Sequence, residues 1–208
     1  MRKLLLAFAN RADLSIIANW IEKNTSVIDL GCGDGELLDY LINKKNVNGI
    51  GIDIDKEKML IALKRGIPVV EYDMNNLFPF LRDNNFDYVI LSQTLQQLKK
   101  PDKVIDEIMR IGRYAILSFP NFGHYKIRLS LLFSGRMPKS KALPYEWYDT
   151  PNIHLLTYLD FKEYCRKMGY RIARTIFISN NKVKKFMLLP NFFSEACVVM
   201  IEKNNIIK

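Results

Sequence analysis

Val27-Ile28-Asp29-Leu30-Gly31-Cys32-Gly33-Asp34-Gly35 is the stretch from which the fold is read. An apolar strand runs into a loop with glycine at every second position, and a helical pattern opens directly behind it at Glu36. A glycine loop between strand and helix sits at the carboxyl edge of a sheet, where open α/β folds bind their ligands. Glycine places no side chain between loop and ligand, and the helix start offers unpaired N–H groups.

Outward from this loop, apolar strands alternate with amphipathic helices. Strands are expected at 26–30, 49–53, 68–70, 88–91 and 114–118. Helices fit between them: Glu36 to about Asn43, Lys56 to Arg65 with its stop at Gly66, and Pro101 to near Gly112. Ahead of the sheet, residues 13–22 place Leu14, Ile17, Ala18 and Ile21 on one face, which reads as a flank or lid helix. After Ser118 the alternation stops for about 35 residues rich in Pro, Gly, Asn and aromatics, a length that marks functional loops. Thr157 and Asp160 form a capping-box pattern for a helix ending at Gly169. Strands at 171–178 and 196–201 then close the sheet. The pattern predicts one domain over residues 1–208, with a functional segment inserted at about 121–154. Its architecture is a three-layer, Rossmann-like α/β fold: a mainly parallel twisted sheet with an antiparallel closing strand.

Three acids stand at successive strand ends. Asp53 follows Gly33 by twenty residues, the spacing at which a carboxylate accepts hydrogen bonds from both ribose hydroxyls. Asp73, after the third strand, is placed to accept from an adenine amino group. A dinucleotide loop, G-x-G-x-x-G, would need glycine at Glu36. Asp29 and Asp34 also bracket the loop with negative charge, which repels a pyrophosphate and suits an ammonium or a sulfonium. S-adenosylmethionine (SAM) carries both cations. The expected cofactor is therefore SAM or S-adenosylhomocysteine, held by Asp29, Gly31, Cys32, Gly33, Gly35, Asp53, Ile54, Asp73, Met74 and Ser92. The fold is then the class I methyltransferase form of the α/β sandwich. Cys32 reads either as a small side chain tucked under the loop or as a thiol activated at a helix start.

Composition narrows the class further. The 208 residues are 49% hydrophobic, enough for one sizeable core, and no apolar run reaches the roughly 18 to 20 residues of a membrane span. Leu4 to Ala9 imitates a leader, but its short apolar part runs into Asn10-Arg11-Ala12-Asp13, so export is not expected. Cys32, Cys165 and Cys197 are odd in number and far apart, which excludes a disulfide framework and a paired-cysteine metal site and fits the cytoplasm. The net charge of +9 is uneven, −2 over residues 1–107 and +11 over 108–208. From Ile108 to Pro144 there are seven Lys or Arg and no acid. Such a surface attracts anions or an acidic partner, or is simply a solvated basic face.

Beyond the loop, four more segments carry a family resemblance: residues 86–96, Ser118-Phe119-Pro120-Asn121-Phe122-Gly123-His124, Gly135-Arg136-Met137-Pro138, and the run from Leu143-Pro144-Tyr145 through Trp147-Tyr148-Asp149-Thr150-Pro151-Asn152-Ile153-His154. With them the chain resembles, over nearly its whole length, the MetW family of methionine-biosynthesis proteins, a branch of the class I SAM-dependent methyltransferases. The Asn121 to His154 stretch discriminates, because the glycine loop is shared by many methyltransferases. Tyr125 stands where tryptophan is expected. The resemblance implies a role in methionine synthesis in partnership with homoserine O-acyltransferase.

Whether methyl transfer occurs is left open by the residues. Displacement on a sulfonium needs proximity more than a base. His124 and His154 are the two histidines, each a base for an acceptor or a loop hydrogen-bonding group. Gln93, with Gln96, lies after the fourth strand, either at the acceptor edge or at a helix start. Phe122, Tyr145, Trp147 and Tyr148 suit an aromatic wall, a partner patch or loop packing. A nucleic-acid methyltransferase is disfavoured: Ser92-Gln93-Thr94-Leu95 replaces the Asp/Asn-Pro-Pro-aromatic motif of amino-methylating enzymes, and no Pro-Cys nucleophile is present. The alternative to a partner-supporting SAM protein is thus a catalytic methyltransferase for a small molecule.

Overall fold

The computed structural model describes residues 8, 11–139 and 144–204. Most of the leader-like stretch, Lys141, Leu143 and the tail beyond Asn204 lie outside the described residues.

The expected alternation is present. Helix α1 (Ala12–Trp20) precedes β1 (Ser26–Leu30), α2 (Glu36–Lys45), β2 (Asn48–Asp53), α3 (Lys56–Lys64), β3 (Val69–Glu71), β4 (Phe86–Ser92), α4 (Pro101–Ile111) and β5 (Gly112–Pro120). Then come α5 (Tyr125–Ser134), α6 (Tyr158–Met168), β6 (Tyr170–Ser179), β7 (Lys182–Lys184), the short α7 (Pro190–Phe193) and β8 (Ala196–Lys203). The sheet order is β3-β2-β1-β4-β5-β8-β6-β7. The first five strands pair in parallel, and β8 inserts antiparallel between β5 and β6.

Strand side chains alternate between two core layers. Val27, Ile90, Ile116 and Val198 face one layer with Leu38 and Leu41 of α2, while Ile28, Val89, Leu117 and Val199 face the other with Val104 and Ile108 of α4. Burial on both faces explains the unbroken apolar runs of these strands. Chain direction away from β1 reverses between β2 and β4, so the carboxyl ends of β1, β2 and β4 open a crevice at the switch point.

Three local expectations change. Helix α1 is buried on nearly every side, Asp13 and Ser15 included, so it is part of the core and not an amphipathic flank or lid. A helix, α5, occupies the supposed long loop; its apolar residues fall on two sides, 127 and 131 on one and 129, 132 and 133 on the other, and only Ile127 is buried. A third antiparallel pairing, β6 with β7, adds an edge hairpin. Its two-residue turn is Asn180-Asn181, both at positive φ (51° and 54°), a geometry asparagine tolerates and hairpins select. The Thr157 capping box and the left-handed stop at Gly169 bound α6 as expected.

Candidate functional site

Each of the three glycines of the loop is left-handed, but their surroundings differ. A β-carbon on Gly31 (φ +78°) would sit 2.6 Å from Thr94 Oγ1, and one on Gly35 (φ +76°) 3.0 Å from Ala62 of α3. At Gly33 (φ +57°) the only neighbour among the described residues would be the Lys58 side chain at 3.8 Å, so that side of the loop is open. The loop borders a cleft of about 930 Å³, inside the usual range for cofactor sites.

Of the ten expected cofactor residues, nine line this cleft: Asp29, Gly31, Cys32, Gly33, Asp53, Ile54, Asp73, Met74 and Ser92. Gly35 does not; it sits at the N-cap of α2 and faces α3. Gln93 also lines the cleft, at positive φ (55°), an uncommon conformation for a side-chain-bearing residue and often a mark of a functional position. The histidines lie elsewhere. His124 is buried at the N-cap of α5 against Tyr125, with burial lowering its pKa, and His154 is exposed with its backbone N–H donating to Gln96 O at 3.0 Å.

The acids are held in different ways. Asp53 Oδ2 accepts from Gly33 N at 2.6 Å, and its Oδ1 accepts from Ile54 N and Asp55 N. The carboxylate therefore pins the middle of the glycine loop, with lone-pair capacity left on Oδ2. Asp73 Oδ1 caps a 3-10 turn through Asn75 N. Asp34 does not stand as an unpaired negative charge beside the loop: Arg65 forms an ion pair with it at 3.0 Å. That leaves Asp29 as the loop's distinctive anion. It is 3% exposed and its Oδ1 has no hydrogen-bond partner among the described residues. Burial pushes its pKa up to about 7, Arg11 acting to lower it and Asp53 to raise it. A buried acceptor with no donor is costly unless something binds it.

A second group of residues backs the cleft's other wall, joining Ser92 and Gln93, which the sequence singled out, to Arg11, Asp13 and Ser118, which it did not. Arg11 donates through Nε and Nη2 to both oxygens of Asp13 at 2.9 Å, and through Nη2 to Ser92 Oγ. Asp13 Oδ2 also accepts from Ser92 and from the fully buried Ser118, which in turn accepts from Gln93 N. Burial opposes ionisation of Asp13, but the Arg11 bonds and charge, with both serines, hold its pKa below the usual carboxylate value. Tyr72 lines the cleft with its ring 5.0 Å from Phe80. Apart from Ser92 and Gln93 at the end of β4 and Ser118 near the end of β5, no local pattern marks these residues, because they meet only when α1 docks on the sheet.

Cys32 is tucked in: a β-carbon on Gly51 would lie 2.5 Å from its Sγ. Burial, with the Asp29 and Asp53 charges, pushes the thiol pKa up, opposite to an activated nucleophile. Among the described residues no group of metal-ligating side chains occurs, and no helix is long and apolar enough to cross a membrane.

Solved structures share this fold. A SAM-dependent methyltransferase from Thermotoga maritima superimposes with a TM-score of 0.66 at 19% identity, covering 97% of this chain and 93% of that one. Another from Archaeoglobus fulgidus gives 0.66 at 16% identity over 93% and 92%. Among curated proteins, the bifunctional methionine biosynthesis protein MetXA/MetW of Rhodopirellula baltica is 31% identical over 204 residues. That match covers 93% of this chain but only 33% of the relative, so the chain spans a third of the protein it resembles. The family described as "Methionine biosynthesis protein MetW" matches residues 11–201. With the loop, the strand-end acids and the sheet order in place, the chain belongs to the MetW family, on a class I methyltransferase fold.

Proposed function

We propose that the chain binds SAM, or S-adenosylhomocysteine, in the glycine-loop cleft and serves methionine biosynthesis beside homoserine O-acyltransferase. The observation that carries the cofactor reading is Asp29, a buried carboxylate whose Oδ1 has no donor among the described residues, lining the same cleft as Arg11. A cation held there removes the desolvation penalty, and the guanidinium across from it suits a carboxylate. The two ends of an amino-acid zwitterion are thereby provided for. Asp53 offers the spare lone pair of Oδ2 to a ribose hydroxyl, and Tyr72 with Met74 offers an apolar wall to a base. When bound, SAM supplies a methyl group activated on sulfonium.

Support for the partner comes from the Rhodopirellula baltica protein, in which MetX and MetW portions share one polypeptide. The second reading, catalysis on a small molecule, is favoured by Gln93, held at the cleft in a left-handed conformation. Incubation with labelled SAM and cell metabolites distinguishes the two.

Calorimetric titration tests the site. SAM is expected to bind and NAD not to, and Asp53→Ala should weaken SAM by about 1.5 to 3 kcal/mol, the worth of hydrogen bonds to a charged group. Unchanged SAM affinity in that variant would overturn the assignment.

A further inference from the structure

Helix α5 turns its apolar residues outward. Only Ile127 of its ten residues is buried, while Leu132 and Phe133 are 73% and 80% exposed. Helical spacing puts Tyr125, Leu129, Leu132 and Phe133 on neighbouring turns of one side. That side meets α7: the Tyr125 ring stacks on Phe192 at 5.7 Å, and the Arg128 guanidinium lies 5.5 Å over the same ring. Just ahead of α7, Leu188 is 72% exposed. The two helices thus present adjoining apolar surface, the kind that marks interaction sites. It lies apart from the cofactor cleft, since no residue of α5 or α7 lines that cleft.

Charge selects the occupant. Residues 108–144, which include α5, carry seven Lys or Arg and no acid, and the half of the chain containing both helices is net +11. Glu195, next to the face, accepts from Asn180 N. A second copy would bring like charge against like charge; a partner with an apolar site rimmed by Asp and Glu would meet complementary potential. Fusion of the MetX and MetW portions in the Rhodopirellula baltica relative keeps such a partner tethered at high local concentration. We propose that the α5–α7 face is the docking surface for homoserine O-acyltransferase, through an apolar patch with an acidic rim on that enzyme. The proposal rests on the partnership given above and adds where on this chain the partner sits.

The test uses the full chain and the acyltransferase from the same organism, with affinity measured by titration at two salt concentrations. The Leu132→Asp/Phe133→Asp double variant should weaken association at least tenfold, and Lys126→Glu/Arg128→Glu should reduce both affinity and its salt sensitivity. Leu60→Asp, on the exposed side of α3, should leave association unchanged. Circular dichroism and SAM titration of each variant separate lost docking from lost folding. Association of the wild type that survives the α5 double variant overturns the surface and leaves the partnership standing. No association of the wild type overturns both. A self-associating wild type made monomeric by the double variant assigns the face to a second copy and overturns the proposal.

Discussion

Asp29 is buried in β1, and the proposed site needs it ionised to bind a cation. With its pKa raised to about 7 by burial, it binds a proton in the folded protein over the range from the ordinary carboxylate pKa to about 7, where the unfolded chain has lost it. Ligand-free stability therefore falls as pH rises through that window, with an upper bound of about 4 kcal/mol. Asp29→Asn removes the slope. The variant should melt higher than wild type at pH 8, show little difference at pH 4, and bind SAM more weakly. Thermal unfolding across pH 4 to 8, with and without SAM, measures this; identical pH profiles for the two proteins would show that Asp29 does not titrate in the window. The acid itself was legible, standing directly before three alternate glycines. The missing donor at its Oδ1 was not, nor was the loss of Asp34 as an unpaired anion, because Arg65 is contributed by the end of another helix.

Elements with strong end signals were legible to within a residue or two. Thr157 accepts from Asp160 N while Asp160 accepts from Thr157 N, and the left-handed Gly169 closes the other end of α6. Because Phe161 and Cys165 are its only buried residues, α6 depends on these caps more than a deeply packed helix does. Thr157→Ala should cost about 1 kcal/mol of stability, the usual worth of a cap, and leave SAM affinity unaltered. A denaturant titration checks the first part; a change below a few tenths of a kcal/mol would mean water replaces the cap without loss. Helix α5 and strand β7 escaped the reading for opposite reasons. The apolar residues of α5 have no inward stripe because the helix keeps them outside, and β7 is three residues with lysines at both ends, marked only by its Asn-Asn turn.

At the scale of the molecule, the glycine-loop cleft and the α5–α7 face are distinct, as the proposed pairing of cofactor binding with docking calls for. Deletion of the gene should produce methionine auxotrophy or lower homoserine acylation in extracts. Growth without methionine together with unchanged acylation would remove the pathway assignment. Expression of the α5 double variant in the deletion strain then places that phenotype on docking or on the cleft. The order of strands, the glycine loop and the spacing from Gly33 to Asp53 are properties of the chain read in line, because backbone periodicity and turn chemistry act locally, and they determined the fold class and the cofactor expectation. That Asp29 Oδ1 is left without a partner, that Arg11 reaches Asp13 and Ser92 while Ser118 donates to Asp13, and that both histidines sit off the cleft depend on elements distant in sequence meeting in space. Only the packing of α1 on the sheet and of α3 against the loop decided those, since desolvation and hydrogen bonding between remote residues leave no periodic trace in the sequence.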